Sequence, residues 1–295
     1  MYINNNSMAS NVANNLTSHY SDLKTSTQRL STGLRVNSAA DDAAGLAIRE
    51  LMRTDIKALQ QGVRNANDAI SLIQTADGAL GIIDEKLTRM KELAEQASTG
   101  TYDSTQRLMI ESEYQAMASE ITRIANATDF NGIHLLNGNL SSDTHTGSTM
   151  SSTGKLKVHF GTANDSAEDY YYIQIGTSTA SALGVGNQAA TTAAGRSVST
   201  QEAAQKALVA ITNAVVSKDK IRAHLGALQN RLENTISNLS TQAENLQAAE
   251  SRISDVDVAT EMTKFVRNQI LTQSSVAMLS QANSMPKLAL NLISG

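Results

Sequence analysis

The sequence predicts a mainly α-helical protein: an elongated antiparallel helical bundle or coiled coil, with a small β-hairpin region in the middle of the chain. Three observations predict it. From Ile56 apolar or small residues step by three and four through Leu59, Val63, Ala66, Ile70, Ile73, Ala76, Leu80, Ile83, Leu87, Met90, Leu93 and Ala97. A second stripe runs from Ala204 through Leu208, Ile211, Val215, Ile221, Leu225, Leu228, Leu232, Ile236, Leu239, Ala243 and Leu246, interrupted by Lys218. Such steps keep one helix face apolar along its length. At about 1.5 Å per residue each segment spans roughly 60–75 Å, so two rods far apart in sequence must bury their stripes against each other. The third observation is composition: one proline, no tryptophan and 3% aromatic residues in 295. Few breakers favour long helices, and few aromatics leave little material to line a deep ligand pocket.

The elements follow in order. Residues 1–36 form a weaker amphipathic arm with Val12, Leu16, Tyr20, Leu23, Thr27, Leu30 and Leu34 in 3–4 rhythm, broken by Gly33. Ser38-Ala-Ala-Asp41 reads as a capping box that starts the first rod, with Asp41 and Asp42 at the positive end of its dipole. That rod runs to about Ser98, where Gly100 is the stop signal. A third helix ends near Ala127, with Ile110, Tyr114, Met117, Ile121 and Ile124 as its stripe. Phe130-Asn-Gly-Ile133 and Asn137-Gly-Asn139 then break the helical rhythm, and the Ser/Thr/Gly-rich run 141–154 reads as an exposed loop. Leu156–Phe160 and Tyr170–Ile175 are β-type runs flanking Gly161–Asp169, which predicts a hairpin. Thr177–Gly195 reads as a loop or short irregular helix. The second rod spans Ser199 to about Ile253. A last helix carries Val258, Met262, Phe265, Ile270, Val276 and Leu279 until Pro286 ends or kinks it, leaving the apolar tail Leu288, Leu290, Leu292 and Ile293.

Composition also excludes. A net charge of −4 argues against nucleic acid as the main partner, and the absence of cysteine removes disulfides, cysteine metal sites and thiol catalysis. The N-terminus has no basic and apolar regions of a cleavable signal, and no stretch approaches 18 consecutive apolar residues, so no membrane insertion is expected. His19, His134, His145, His159 and His224 show no metal-ligand spacing, and no nucleophile–base or phosphate-loop spacing appears, so neither an enzyme nor a cofactor is expected. Tyr170–Tyr172 reads as a strand with side chains on both faces rather than a carbohydrate platform. Gly45 and Gly81 inside the first rod read as points of close helix approach, and Arg89 as the partner of Glu85 one turn before it. Burying the apolar residues of the first arm falls short of the cost of ordering its backbone. Such an arm folds when neighbours cover it, and self-assembly is the simplest outlet for both ends.

Four segments carry a family resemblance. Residues 30–48 (LSTGLRVNSAADDAAGLAI), 66–80 (ANDAISLIQTADGAL), 129–138 (DFNGIHLLNG) and 281–287 (QANSMPK) closely resemble bacterial flagellins, and the likeness covers roughly 1–140 and 198–295. The resemblance implies a flagellar filament subunit with most of the variable outer domains missing. Residues 1–42 and 255–295 would be the arms of the inner filament domain. Residues 43–140 and 198–254 would form the rod domain, and 141–197 a short variable region holding the hairpin. Leu16, Leu23, Leu30, Met262, Phe265 and Leu279 would pack subunits together in the arms. Family knowledge further implies unfolded export through the flagellar type III machine, a chaperone on the C-terminal arm, and contacts with cap and hook–filament junction proteins. It also implies recognition by a flagellin-sensing Toll-like receptor through Arg89, Leu93 and Glu113 on an exposed rod face. Cytosolic sensing of the tail at Leu288–Ile293 is matched more loosely. A hook–filament junction protein, which forms one short ring, is the alternative reading.

Overall fold

The computed structural model describes residues 6–145, 154–166, 168–189 and 194–294, with side chains described up to Pro286. The element order is α1 (Ser7–Thr32), α2 (Ala43–Ser98), α3 (Ser104–Ala127), β1 (Asp129–Phe130), β2 (Ile133–His134), β3 (Leu156–His159), β4 (Tyr170–Ile173), α4 (Ala180–Leu183), α5 (Gln201–Ser254) and α6 (Val258–Ser294). The mainly helical class with a central hairpin is as the sequence predicts. The chain forms two compact units, residues 57–243 and residues 1–56 with 244–295, and the division falls inside α2 and α5.

The central unit is built on a continuous apolar core. Ile73, Leu80, Ile83, Leu87, Met90 and Leu93 of α2 meet Tyr114 and Ile121 of α3 and Ile211, Leu225 and Leu232 of α5, all essentially inaccessible to water. Lys218, which interrupts the α5 stripe, is buried as well. Its Nζ lies 2.6 Å from Asp84 of α2 and 2.7 Å from Asp219. One helical turn on, Arg222 grips both oxygens of Asp77 at 2.7 and 3.1 Å. Positions 77 and 84 meeting 222 and 218 make the two helices antiparallel, and the charges fix their register. Burial pushes the Lys218 ammonium down, but the carboxylates of Asp219 and Asp84 outweigh it and hold its pKa above the ordinary lysine value.

The ends of these helices are tied by side chains. Arg107 donates to the carbonyls of Ala97 and Thr99 at 3.1 and 2.9 Å, satisfying the frayed C-terminus of α2. Asp103 N donates back to Gln106 at 3.1 Å at the start of α3. Asn131 and Gly132, with φ of 52° and 77°, turn β1 into β2, a two-residue hairpin loop of the Asn-Gly kind. From the sequence this segment is expected only to break the helical rhythm. The Tyr114 hydroxyl, buried under α3, donates to Gly195 O at 2.7 Å, and Gln115 receives Asn187 N at 2.6 Å. The loop leading into α5 is therefore clamped from α3.

β3 and β4 pair antiparallel, Leu156 opposite Ile173 and His159 opposite Tyr170. Their inner face carries Leu156, Val158 and Ile173 into the core. Gly62, rather than Gly45 or Gly81, marks a close approach, because a Cβ there would collide with the Phe160 carbonyl. Gly81 faces open space, and Gly45 makes room for the Asp42 carboxylate that caps its own helix.

The terminal unit is organised differently. Asp41 Oδ2 accepts from Asn37 N and Ser38 N at 3.1 and 3.0 Å, so Ser38–Asp41 closes a turn of its own. Helix α2 begins only at Ala43, with Asp42 receiving Gly45 N at 2.8 Å. The expected capping box is thus replaced by a single cap at Asp42, four residues beyond Ser38, because Asp41 is consumed by the turn. α1 ends at Gly33, which takes the left-handed φ of 72°. Beyond it, Val256 N donates to Gly33 O at 3.0 Å and Arg35 N to Ser254 O at 2.6 Å, locking the two connecting segments together.

α1 and α6 are antiparallel and closely packed: Ser26 meets Glu261 near one end, and Asn6 meets Ala282 near the other. Pro286 neither ends the helix nor leaves a gap in its bonding. α6 continues to Ser294, and the Ala282 carbonyl that residue 286 has no N–H to satisfy accepts from Asn6 Nδ2 at 2.8 Å. Asn6 simultaneously caps α1 by accepting from Ala9 N at 3.0 Å. The tail side chains Leu288, Leu290, Leu292 and Ile293 and the loop residues 146–153 lie outside the described residues.

Candidate assembly surface

Helix α6 turns an unusual face toward α1. Glu261, Phe265, Asn268, Thr272, Ser275, Leu279 and Ala282 follow a strict 4–3 alternation, and all are buried or half-buried. This is the spacing of a coiled-coil seam, yet only three of the seven are apolar. α1 answers with Ala9, Val12, Leu16, His19, Leu23, Ser26 and Leu30 in 3–4 alternation, again buried or half-buried. Small and hydroxyl side chains on both helices allow the close approach, at the cost of little apolar area removed from water.

The polar members of the seam are paired. Ser26 Oγ donates to Glu261 Oε1 at 2.7 Å, and Lys264 Nζ lies 3.3 Å from Glu261 Oε2. Burial pushes the Glu261 carboxyl up, but the Ser26 hydroxyl, the Lys264 ammonium and the Arg29 charge together hold it below the ordinary glutamate value. It is therefore ionised near neutral pH and its interactions are spent inside the pair.

The opposite face of α6 is where the apolar residues went. Val258 is 57% exposed, Met262 44%, Val266 44% and Ile270 58%. With Thr263, Arg267 and Leu271, the last three line a shallow apolar depression along the helix. On α1 a second depression is lined by Tyr20, Leu23, Lys24, Thr27, Gln28 and Ser31. Of the six arm residues expected to pack subunits, Leu16, Leu23, Leu30, Phe265 and Leu279 are half-buried on the α1–α6 seam, and Met262 is on the exposed face. Periodicity alone merges these two faces; the burial separates them.

Three further residues were singled out by resemblance. Arg89 and Glu113 are exposed and joined at 2.9 Å between α2 and α3, and Arg89 also pairs with Glu92 at 2.9 Å rather than with Glu85. Glu92 first and then Glu113 raise the guanidinium's pKa. Leu93 is 1% exposed and belongs to the core, so it does not share an exposed face with them. The 3–4 stripe of α2 contains Leu93, and Arg89 lies one turn earlier but off that stripe.

Among the described residues no group of three acidic or histidine side chains is placed to hold a metal, and no helix is long and apolar enough to cross a membrane.

The comparisons with known proteins agree with this architecture. Residues 3–141 match the bacterial flagellin N-terminal helical region, and residues 208–293 match the bacterial flagellin C-terminal helical region. A flagellin of Bacillus subtilis is 43% identical, the match covering 99% of this chain and 100% of that one. The chain belongs to the bacterial flagellin family. A flagellar filament core protein of Brachyspira hyodysenteriae is 40% identical, with 99% and 100% of the two chains covered. This flagellin is a structural subunit of the flagellar filament, in a short form without a large outer domain. A solved structure described as a hook-associated protein of Vibrio parahaemolyticus has a TM-score of 0.56 at 15% identity, covering 73% of this chain and all of that one. That likeness is one of fold and does not favour the junction-protein alternative.

Proposed function

We infer that this flagellin polymerises through the outward apolar face of α6, with α1 beside it, into an extracellular filament that serves motility. The observation that carries the reading is the patterning of α6: four of its seven seam residues, Glu261, Asn268, Thr272 and Ser275, are polar, while Val258, Met262, Val266 and Ile270 face outward. A helix face of this kind is covered in the working state of a protein, and other copies of the chain supply the cover. Residues 1–42 and 255–295 would form the inner layers of the filament, and the rods the layer around them. The same exposed face explains why export would proceed unfolded, with a chaperone holding the C-terminal arm until the subunit is inserted beneath the cap at the distal tip. Hook–filament junction proteins would meet the first subunits. No catalysis is assigned to the chain.

Host recognition by a flagellin-sensing Toll-like receptor would rest on Arg89 and Glu113, with Leu93 acting from within the core to support α2. Arg89→Ala is expected to weaken monomer signalling in reporter cells at least tenfold without moving the Tm, and equal potency would remove the receptor reading. The filament reading is tested separately. Purified monomer seeded with short filament fragments should elongate them by electron microscopy, and Ile270→Asp should not. Growth by that variant at the wild-type rate would refute the role of the α6 face.

A further inference from the structure

The outer face of the β3–β4 hairpin is built from cations and aromatic rings. Strand alternation sends Leu156, Val158 and Ile173 inward and leaves Lys155, Lys157, His159, Tyr170 and Tyr172 together on the other side. Lys157 Nζ sits 3.6 Å from the centre of the Tyr170 ring, and Lys155 Nζ sits 4.5 Å from that of Tyr172. The two tyrosines meet edge to face at 5.4 Å. His159 stacks on Tyr170 at 6.1 Å, and His145 tilts against Tyr172 at 5.6 Å while its Nδ1 is 2.9 Å from Lys155 O. Neither lysine forms a salt bridge with a carboxylate among the described residues; Lys157 Nζ lies 3.2 Å from Asn164 Oδ1.

A flexible lysine loses rotamer entropy when a ligand fixes it. Here the rings hold both ammonium groups in place beforehand, through an attraction worth about 0.5–1 kcal/mol each at exposed sites. The charges stand two residues apart on one strand, roughly 6.6 Å, and no buried cradle converges on a single ion. The arrangement suits a chain of regularly spaced anionic groups. It does not suit stacked bases, because the ring faces are already occupied by ammonium groups and by each other. From this geometry we propose that the outer hairpin face is a docking surface for a sulfated polysaccharide. The inference is independent of the filament reading, since it uses only the central unit.

The test is elution of full-length monomer from immobilised heparin in a salt gradient, with affinity measured by biolayer interferometry. Wild type should bind despite its net charge of −4, and K155A/K157A should bind at least fivefold more weakly. K206A/K220A removes the same charge from exposed positions of α5 and should leave binding unchanged. Y170L/Y172L keeps both lysines but removes the rings that position them, and should weaken binding at least threefold. Circular dichroism checks that each variant keeps its helices. No binding by wild type, equal losses for the two lysine pairs, or wild-type binding by K155A/K157A would each overturn the proposal. Binding of an oligothymidylate as tightly as heparin at equal ionic strength would overturn the polysaccharide assignment.

Discussion

The two units are made from the same kind of helix and are stabilised in opposite ways. In the central unit the apolar stripes of α2, α3 and α5 point at one another, and the core holds Leu80, Ile83, Leu87 and Tyr114 at essentially zero exposure. In the terminal unit the buried hydrophobic side chains among the described residues are Val36, Ile56 and Ala282, while Ser26, Arg49, Ser254, Glu261 and Thr272 are buried polar ones. Many of its large apolar residues, among them Leu51 at 68% and Ile270 at 58%, face out. Hydrophobic burial is the main favourable term in folding, so the central unit is equipped to stand alone. The terminal unit has its principal source of stability on the wrong side until other molecules cover it. In the assembly proposed above, the first part would supply a durable body and the second contacts that become favourable when copies pack together.

The largest expected effect breaks the central core. Leu87→Ala should cost about 2–5 kcal/mol, the range for emptying a packed leucine site, read as a lowered midpoint in urea. Leu23→Ala, on the half-buried arm seam, should shift the monomer's midpoint far less and impair polymerisation more. If Leu23→Ala destabilised the monomer as strongly as Leu87→Ala, the contrast between the units would fail.

Next in size is the buried cation. D84A/D219A leaves Lys218 without its carboxylates and should cost about 2 kcal/mol, reduced from the fully buried case because both acids are partly exposed. Lys218→Met should be neutral within about 1 kcal/mol, since it removes the charge together with the need to pair it. A large loss for Lys218→Met would show that the pair contributes stability beyond register.

Ile270→Asp sharpens the comparison from the other side. It should raise the critical concentration for assembly at least tenfold, about 1.4 kcal/mol, while thermal melting of the monomer stays in place. Asn6→Ala should have a smaller effect, about 1 kcal/mol on docking of α1 against α6, since it removes one cap and leaves Ala282 O unpaired. Hydrogen exchange of α1 amides reads that loss without interference from the central unit.

The smallest effect is a dependence on acid. Glu261 is held below its unfolded value of about 4.3, so its contribution is complete above that value and is lost as pH falls through the folded one. Protection of α1 and α6 from protease should therefore decline below about pH 4.3, ahead of the central unit. Glu261→Gln should flatten the decline, and an unchanged profile in that variant would exclude this carboxylate as its source.

By itself the sequence determined the helices, because 3–4 apolar spacing, one proline and well-placed glycines are local facts about a chain. It also determined the turn at Gly33, the hairpin of residues 156–173 and, through long family segments, filament membership. It marked Lys218 as an interruption without indicating a remedy, because Asp84 lies 134 positions away. Only the tertiary structure decided which way each stripe faces. Met262 and Phe265 follow one rhythm in α6, yet Phe265 meets α1 and Met262 meets solvent, because a wide apolar stripe does not state which edge its partner takes. Leu93 was drawn toward the surface by its neighbour Arg89, though its own position on the α2 stripe sends it inward. Pro286 was a stop signal until Asn6, from the far end of the chain, satisfied the carbonyl it orphaned. In each case the deciding contact joins residues far apart in sequence, and local spacing carries no information about such partners.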